Sequence, residues 1–275
     1  MIPVISLGPI TIYFFGFMIA VGALIGLLLL IREAKKRGMD HKLLIDVAIY
    51  SLLGGVIGAR IVYVVVYDPA YYIANPMEIL FIQNGGLSIH GGVLGGLVIG
   101  YFLLRRHKLP IWHTLDIVAP ALILAQGISR IGCDVFGEPM SSALPWGIER
   151  YGEILHPAQA YEFLLDFLLF GYLWLKLKKT SYTGQIFIHY LIGYMIIRGI
   201  VEFARINPMV VGPFSVSHVM SLIGIIIAIS LMRYRKANGL TDKITPIPKK
   251  DIIKTVMFVL SMMVISLLLF YGVQG

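Results

Sequence analysis

No charged residue precedes Arg32, and none occurs from Thr180 to Ile197, from Ile206 to Met232 or from Thr255 to Gly275. Each run reaches or exceeds the roughly 18 residues that mark a helix able to cross a bilayer. Only 14% of the 275 residues are charged and 58% are hydrophobic, against about 25% charge in an ordinary soluble domain. This pattern excludes a soluble globular enzyme, a disordered chain and a disulfide scaffold. Cys133 is the single cysteine and carries no information on redox compartment. The N-terminus lacks the basic region of a cleaved signal peptide, and its apolar stretch is too long for one. Met1 therefore reads as the start, followed by a retained first span.

Apolar windows fall near 10–31, 43–66, 87–104, 112–132, 157–175, 184–204, 212–232 and 254–273. They predict an all-α, polytopic membrane helical bundle of seven transmembrane helices plus an eighth. Basic clusters follow alternate windows: Arg32, Lys35, Lys36, Arg37 and Lys42; Arg105, Arg106 and Lys108; Lys176, Lys178 and Lys179; Arg233, Arg235, Lys236, Lys243, Lys249, Lys250 and Lys254. The positive-inside rule then places these loops in the cytoplasm and the N-terminus outside. Orientation accounts for these charges, so the net charge of +8 gives no ground for nucleic-acid binding. The expected organisation is a membrane domain over 1–236 with a small external head at 134–155, a cytoplasmic linker at 237–251 and an extra C-terminal helix at 252–275.

Five basic residues stay outside the clusters, and all are arginines: Arg60, Arg130, Arg150, Arg198 and Arg205. A guanidinium is a planar fork of donors suited to phosphate. Ionisable groups within spans are costly and point to function by default. Arg130 ends the fourth span, with Cys133 and Glu138 following; the alternative is an arginine that snorkels to the interface. Tyr194, Arg198 and Glu202 lie four apart on one face of the sixth span, with Arg205 beyond, so Arg198 and Glu202 can pair. A structural ion pair is the competing account. Glu162 and Asp166 put two carboxyls on one face of the fifth span and need partners such as Arg60.

The third span opens Asn84-Gly85-Gly86-Leu87-Ser88-Ile89-His90-Gly91-Gly92, followed by Gly95-Gly96. Gly91/Gly95 and Gly92/Gly96 suit close helix packing. His90 is placed to exchange protons near neutral pH, or else makes a structural hydrogen bond. His189 and His218 read as packed residues, and Met257, Met262 and Met263 as lipid-facing filler. No metal-ligand spacing occurs.

In this order the chain resembles the prolipoprotein diacylglyceryl transferase family over about residues 6–232. The resemblance rests on Ser6-Leu7-Gly8-Pro9 with Gly16, Gly58-Ala59-Arg60 with Tyr63, and Gly85-Gly86 through His90-Gly91-Gly92. It continues through Asp116, Ala119 and Pro120, Arg130-Ile131-Gly132 with Gly137-Glu138, and His156-Pro157, Gln159 and Tyr161-Glu162. It ends on Arg198, Val201-Glu202-Phe203 and Arg205. It implies transfer of a diacylglyceryl group from phosphatidylglycerol to the lipobox cysteine thiol of preprolipoproteins, releasing glycerol 1-phosphate. It implies a bacterial plasma-membrane enzyme with no metal or diffusible cofactor and an active site toward the outer face. Arg130 and Arg198 would hold the phosphate and stabilise leaving-group charge. His90 would serve as base or proton shuttle toward the thiolate, Glu202 would orient Arg198, and Glu138 would organise the outer-face site. Arg60, Tyr194, Arg205 and Cys133 complete the expected substrate-binding set.

The chain departs from the family pattern as a diverged member. Cys133 stands where the family usually has Asn, Ser129 where it has Gly, and Phe136 and Ser141 where it has Asn and Gly. Phe15 aligns with a first-span Tyr, with Tyr13 nearby. These departures and the extra helix leave open a paralogue with another acceptor or lipid donor, or an inactive member. Cys133 itself, beside Arg130, is either a nucleophile with a lowered pKa or a small space-filler. A lipid transporter or scramblase would pass headgroups along the arginines without a covalent product, though no internal repeat supports it. A non-catalytic scaffold would tolerate loss of His90 and Arg130.

Overall fold

The computed structural model describes residues 2–7, 10–82, 85–150, 152–238 and 247–275. Asn84, Gly8-Pro9 and residues 239–246 of the expected linker lie outside the described residues. The described chain is mainly helical: α1 (Phe14–Lys36), α2 (His41–Tyr67), α3 (Pro69–Ala74), α4 (Ile89–Arg106), α5 (Ile111–Ile131), α6 (Ala158–Lys176), α7 (Gln185–Glu202), α8 (Val216–Asn238) and α9 (Lys249–Gln274). Each of the eight apolar windows holds one long helix. The remaining helix, α3, and a 3-10 turn at Pro76–Leu80 occupy the segment between α2 and α4.

Six of the described helices, α1, α2, α5, α7, α8 and α9, are long and apolar enough to cross a membrane. The two other long helices are diluted by polar and small residues. α4 is glycine-rich and ends on Arg105 and Arg106, and α6 carries Glu162 and Asp166. Large apolar side chains stand exposed along the helices, among them Ile57, Val65, Leu97, Ile227 and Leu268. Such faces suit lipid, where helices satisfy their own backbone groups.

Three short antiparallel hairpins interrupt the expected all-α architecture: β1 (Pro3–Leu7) with β2 (Ile10–Tyr13), β3 (Ile148–Arg150) with β4 (Glu153–Leu155), and β5 (Met209–Val211) with β6 (Phe214–Ser215). Strands of two to five residues leave too little alternation to be seen in a sequence dominated by long apolar runs. Two of the turns use glycines at positive φ, Gly152 and Gly212.

The chain forms two compact units, Met1–Leu30 with Leu115–Gly275, and Ile31–Thr114. In the second unit, α2 and α4 pack through glycines. A Cβ on Gly58 would lie 2.5 Å from the Gly91 carbonyl and 2.9 Å from the Gly95 Cα. Gly55 and Ser51 face Gly92 and Gly96 in the same way. Both glycine pairs singled out in the sequence therefore serve close approach of two helices.

In the first unit, α6 is the most buried element: Gln159, Glu162, Phe163, Asp166, Phe167 and Leu173 are all at or near zero exposure. Its Ala158 meets Ile197 and Val201 of α7. Phe163 meets Phe270 of α9 with ring centres 5.8 Å apart. α1 crosses α5 where Gly22 and Gly26 lie against the Ala125 and Ala121 carbonyls. The start of α7 is capped from another helix. Asp116 of α5 accepts from the backbone N–H of Gly184 at 2.7 Å, Ile186 at 2.8 Å and Phe187 at 3.1 Å. These are donors that a helix start leaves unpaired, and the negative carboxylate faces the positive end of the helix dipole, which is favourable.

Asp116→Ala is expected to destabilise the protein by about 2 kcal/mol or more, because buried N–H groups lose their acceptor. A thermal-unfolding midpoint in detergent that stays at the wild-type value would contradict the cap.

Candidate functional site

Arg130, Arg198 and Arg205 converge on two buried carboxylates in the first unit. Arg130 sits in the last turn of α5, Glu162 in the first turns of α6, Arg198 and Glu202 on α7, and Arg205 in the turn that follows. Glu162, 1% exposed, places Oε1 2.9 Å from Arg130 Nη2 and Oε2 3.8 Å from Arg205 Nη1. Glu202, also 1% exposed, places Oε2 2.8 Å from Arg198 Nη2. Its Oε1 accepts from Ser215 Oγ at 2.5 Å and from Asn207 Nδ2 at 2.8 Å. The pairing expected from the i,i+4 spacing of Arg198 and Glu202 thus forms.

The geometry leaves unused donors. Arg198 Nη1 and Arg205 Nη1 are buried and donate to no hydrogen-bond acceptor among the described residues, the Glu162 oxygen 3.8 Å from Arg205 Nη1 lying beyond hydrogen-bond reach. Three guanidinium groups share two paired carboxylates, an arrangement suited to an anion with several oxygens. Burial and the neighbouring Arg198 hold the Arg205 guanidinium below its usual pKa, while Glu162 pulls it back. Tyr194 lies within electrostatic range of Glu162, Arg130 and Arg198, and its ring stacks on Tyr190 with centres 6.0 Å apart. Asp166, fully buried, has neither oxygen hydrogen-bonded among the described residues.

The segment after α5 is held tightly. A Cβ on Gly132 would come within 2.8 Å of the Phe14 carbonyl, and one on Gly137 would run into the Ala204 carbonyl. Gly137 N–H donates to the His156 carbonyl at 2.8 Å, and Glu138 N–H donates to the Ala204 carbonyl at 3.0 Å. The backbone of Glu138 is thereby fixed, and its side chain is half-buried. Cys133 is 4% exposed, its Sγ lies 3.9 Å from Arg130 Nη1, and its carbonyl accepts from Gln159 Nε2 at 3.2 Å.

In the second unit, Arg60 corrects an expectation. Its donors are spent on backbone carbonyls of its own unit, and within the first unit Glu162 pairs with Arg130 and Arg205. The Arg60 guanidinium donates instead to four backbone carbonyls: Glu78 at 2.5 Å, Ile79 at 2.9 Å, Gly85 at 2.8 Å and Gly86 at 2.9 Å. Gly85 and Gly86 both have positive φ, a conformation open to glycine, which turns their carbonyls toward the arginine. His90 lies exposed in the first turn of α4.

The sequence did not point to Ser215 and Asn207. Both come from the connection between α7 and α8, Ser215 on the two-residue strand β6, too short for a periodicity to mark a residue. His218 is packed as expected, and it also takes part in hydrogen bonding. Its Nδ1 accepts from Ser215 N–H at 3.1 Å, and its ring lies 4.4 Å from that of Phe203. His189 is packed as expected, stacked on Tyr172 and hydrogen-bonded to its hydroxyl at 2.8 Å.

Arg60→Lys replaces a planar fork with a point charge that cannot reach four carbonyls. Limited proteolysis should cut between 76 and 88 at least about tenfold faster in this variant, given about 1–3 kcal/mol for the carbonyls left unpaired. Equal cleavage rates would show that the clamp does not hold this segment.

Comparison with known proteins bears on what the cluster serves. The family described as prolipoprotein diacylglyceryl transferase matches residues 3–234. A phosphatidylglycerol–prolipoprotein diacylglyceryl transferase of Clostridioides difficile is 37% identical over 223 residues, 80% of this chain and 90% of the relative. The proteins of that name from Staphylococcus aureus and Halalkalibacterium halodurans are 37% and 31% identical, covering 84% and 87% of this chain and 88% of each relative. Over most of its length, and across every residue of the arginine–carboxylate cluster, this chain belongs to the prolipoprotein diacylglyceryl transferase family.

Proposed function

We propose that this protein transfers the diacylglyceryl group of phosphatidylglycerol to the lipobox cysteine thiol of preprolipoproteins. The observation that carries this reading is the cluster of Arg130, Arg198 and Arg205 on two buried carboxylates, with unused N–H donors, in a chain of this family. The relatives' names supply the donor and the acceptor.

In this reaction the cysteine sulfur attacks the diacylglyceryl carbon that carries the phosphate. The carbon–sulfur bond forms as the carbon–oxygen bond breaks, and glycerol 1-phosphate leaves with the bonding electrons. Arg130 and Arg198 hold the phosphate and stabilise the charge that builds on the departing oxygen. Glu202 fixes Arg198, as the 2.8 Å contact supports, and Glu162 does the same for Arg130 and Arg205. His90 takes the thiol proton, which its exposed place in α4 supports, because the thiolate is the true nucleophile. Tyr194 and Glu138 contribute to headgroup binding and to the order of the surrounding backbone. Arg60, with its donors on carbonyls, acts by shaping the segment that leads to His90. The burial of Cys133 supports its role as a space-filler rather than a nucleophile.

The bundle crosses the bacterial plasma membrane eight times, with the N-terminus and the active site toward the outer face. The alternation of basic clusters supports this topology. Residues 134–155 form the small external head of the 1–236 membrane domain, 237–251 a cytoplasmic linker and 252–275 an added span. No cofactor enters the reaction.

Purified protein in phosphatidylglycerol nanodiscs should add one diacylglyceryl mass to a lipobox peptide, and none to its Cys→Ser version. His90→Ala, Arg130→Ala and Arg198→Ala should each lower the rate by about 10²–10⁴, and Cys133→Ser should keep wild-type activity. Movement of lipid without a covalent product would overturn the reading in favour of a transporter.

A further inference from the structure

The end of α9 is tied to the end of α5 and to the β3–β4 segment. Gln274, 1% exposed, donates from Nε2 to the Ile131 carbonyl at 2.9 Å. Arg150 on β3 donates from Nη2 to the Gln274 carbonyl at 2.6 Å. The Tyr271 hydroxyl donates to the Trp146 carbonyl at 2.7 Å. Each bond meets a backbone carbonyl, and two of these carbonyls belong to helix ends, which lack an intrahelical donor. A buried carbonyl left without a donor costs about 1–3 kcal/mol.

The placement matters because Ile131 is the residue after Arg130. The backbone beyond it continues through Gly132 to Cys133, and Gly132 is already pressed against Phe14 and Met18. Gln274 also lines a small cavity with Ile2, Phe14, Phe15, Gly132 and Asp134. Its Oε1 is buried without a hydrogen-bond partner among the described residues.

The register of α9 along α6 is fixed at three further levels. Phe270 sits against Phe163, Val259 lies in the notch left by Gly171, and Asp251 pairs with Lys178 at 2.9 Å. A slip of one residue would rotate Gln274 by about 100° and remove its amide from Ile131. α9 lies wholly outside residues 3–234, the part matched by the family, so the family match does not account for it.

We propose that Gln274 is a positioning residue for Arg130: through the Ile131 carbonyl, α9 fixes the end of α5 that presents the guanidinium. The effect on catalysis rests on the reading above, in which Arg130 holds the lipid phosphate. The local bracing does not, and it has its own reporter. Cys133 is the single cysteine of the chain, it is buried, and it lies two residues beyond Ile131.

The test uses the full chain in nanodiscs, with Gln274→Leu and, as a second variant of similar bulk, Gln274→Met. Each is measured for the rate at which a small maleimide labels Cys133, for kcat and KM with phosphatidylglycerol, and for thermal midpoint. Asp251→Asn, which loosens the other end of α9, is the control. The expected result is about tenfold faster labelling and about tenfold lower kcat in both Gln274 variants, the range that a lost buried hydrogen bond allows. KM should stay within about twofold, and the control should match wild type in labelling and kcat. Wild-type labelling in the Gln274 variants would overturn the proposal. So would faster labelling shared equally by Asp251→Asn, or a lowered midpoint with wild-type kcat in the folded fraction. If the wild-type chain transfers no lipid, the proposed reaction falls, and the labelling rates still decide whether Gln274 braces α5.

Discussion

Two buried carboxylates, Glu162 and Glu202, organise what this chain can do. In a low-dielectric interior a lone carboxylate or guanidinium is costly, and removing one partner of a buried pair is more damaging than never having had the pair. The cluster must therefore be built as a set. Glu162 binds Arg130 and Arg205, and Glu202 binds Arg198 while accepting from Ser215 and Asn207. A buried ion pair is weak evidence for stability, since apolar residues of similar volume often serve as well. On the proposed function, the unused donors on Arg198 and Arg205 account better for why the charges are kept: they are oriented and partly desolvated, as a site for an anion requires.

The surrounding elements act on this set. α6 carries Glu162 and buries residues from Ala158 to Leu173, with α7 and α9 both packed on it. α7 brings Arg198 and Glu202 in one turn, and its own start is held by Asp116 of α5. α5 in turn carries Arg130 in its last turn. The close approaches at Gly132 and Gly137 bring backbone against backbone where a Cβ would not fit. The carbonyls of Ile131 and Gln274, at helix ends without an intrahelical donor, find donors in the side chains of Gln274 and Arg150.

The long helices were legible in the sequence because a charge-free run in a chain this apolar has few alternatives, and all eight windows are occupied by helices. The Arg198–Glu202 pair was legible from spacing alone. The partner of Glu162 was not. Two carboxyls on one face of a span showed that a cation was needed, but nothing along the chain marks Arg130 and Arg205 as the ones that meet Glu162. Arg60 instead meets Gly85 and Gly86, whose positive φ was hidden in a glycine run that also serves helix packing. The hairpins and the roles of Ser215 and Asn207 lay in connections too short to show a period. The family resemblance, carried by Arg130, Gly137, His156 and Arg198 together, supplied what spacing could not: a donor, an acceptor and a bond to break.

The central claim is that the arginines recognise a lipid phosphate. It is tested most directly by titrating the protein in nanodiscs with phosphatidylglycerol and with diacylglycerol of the same acyl chains, which lacks the phosphate. Charge-assisted contacts to the phosphate predict at least about tenfold tighter binding of phosphatidylglycerol, falling toward equality when Arg130 and Arg198 are both replaced by Gln. Equal affinity of the wild-type protein for the two lipids would contradict the account.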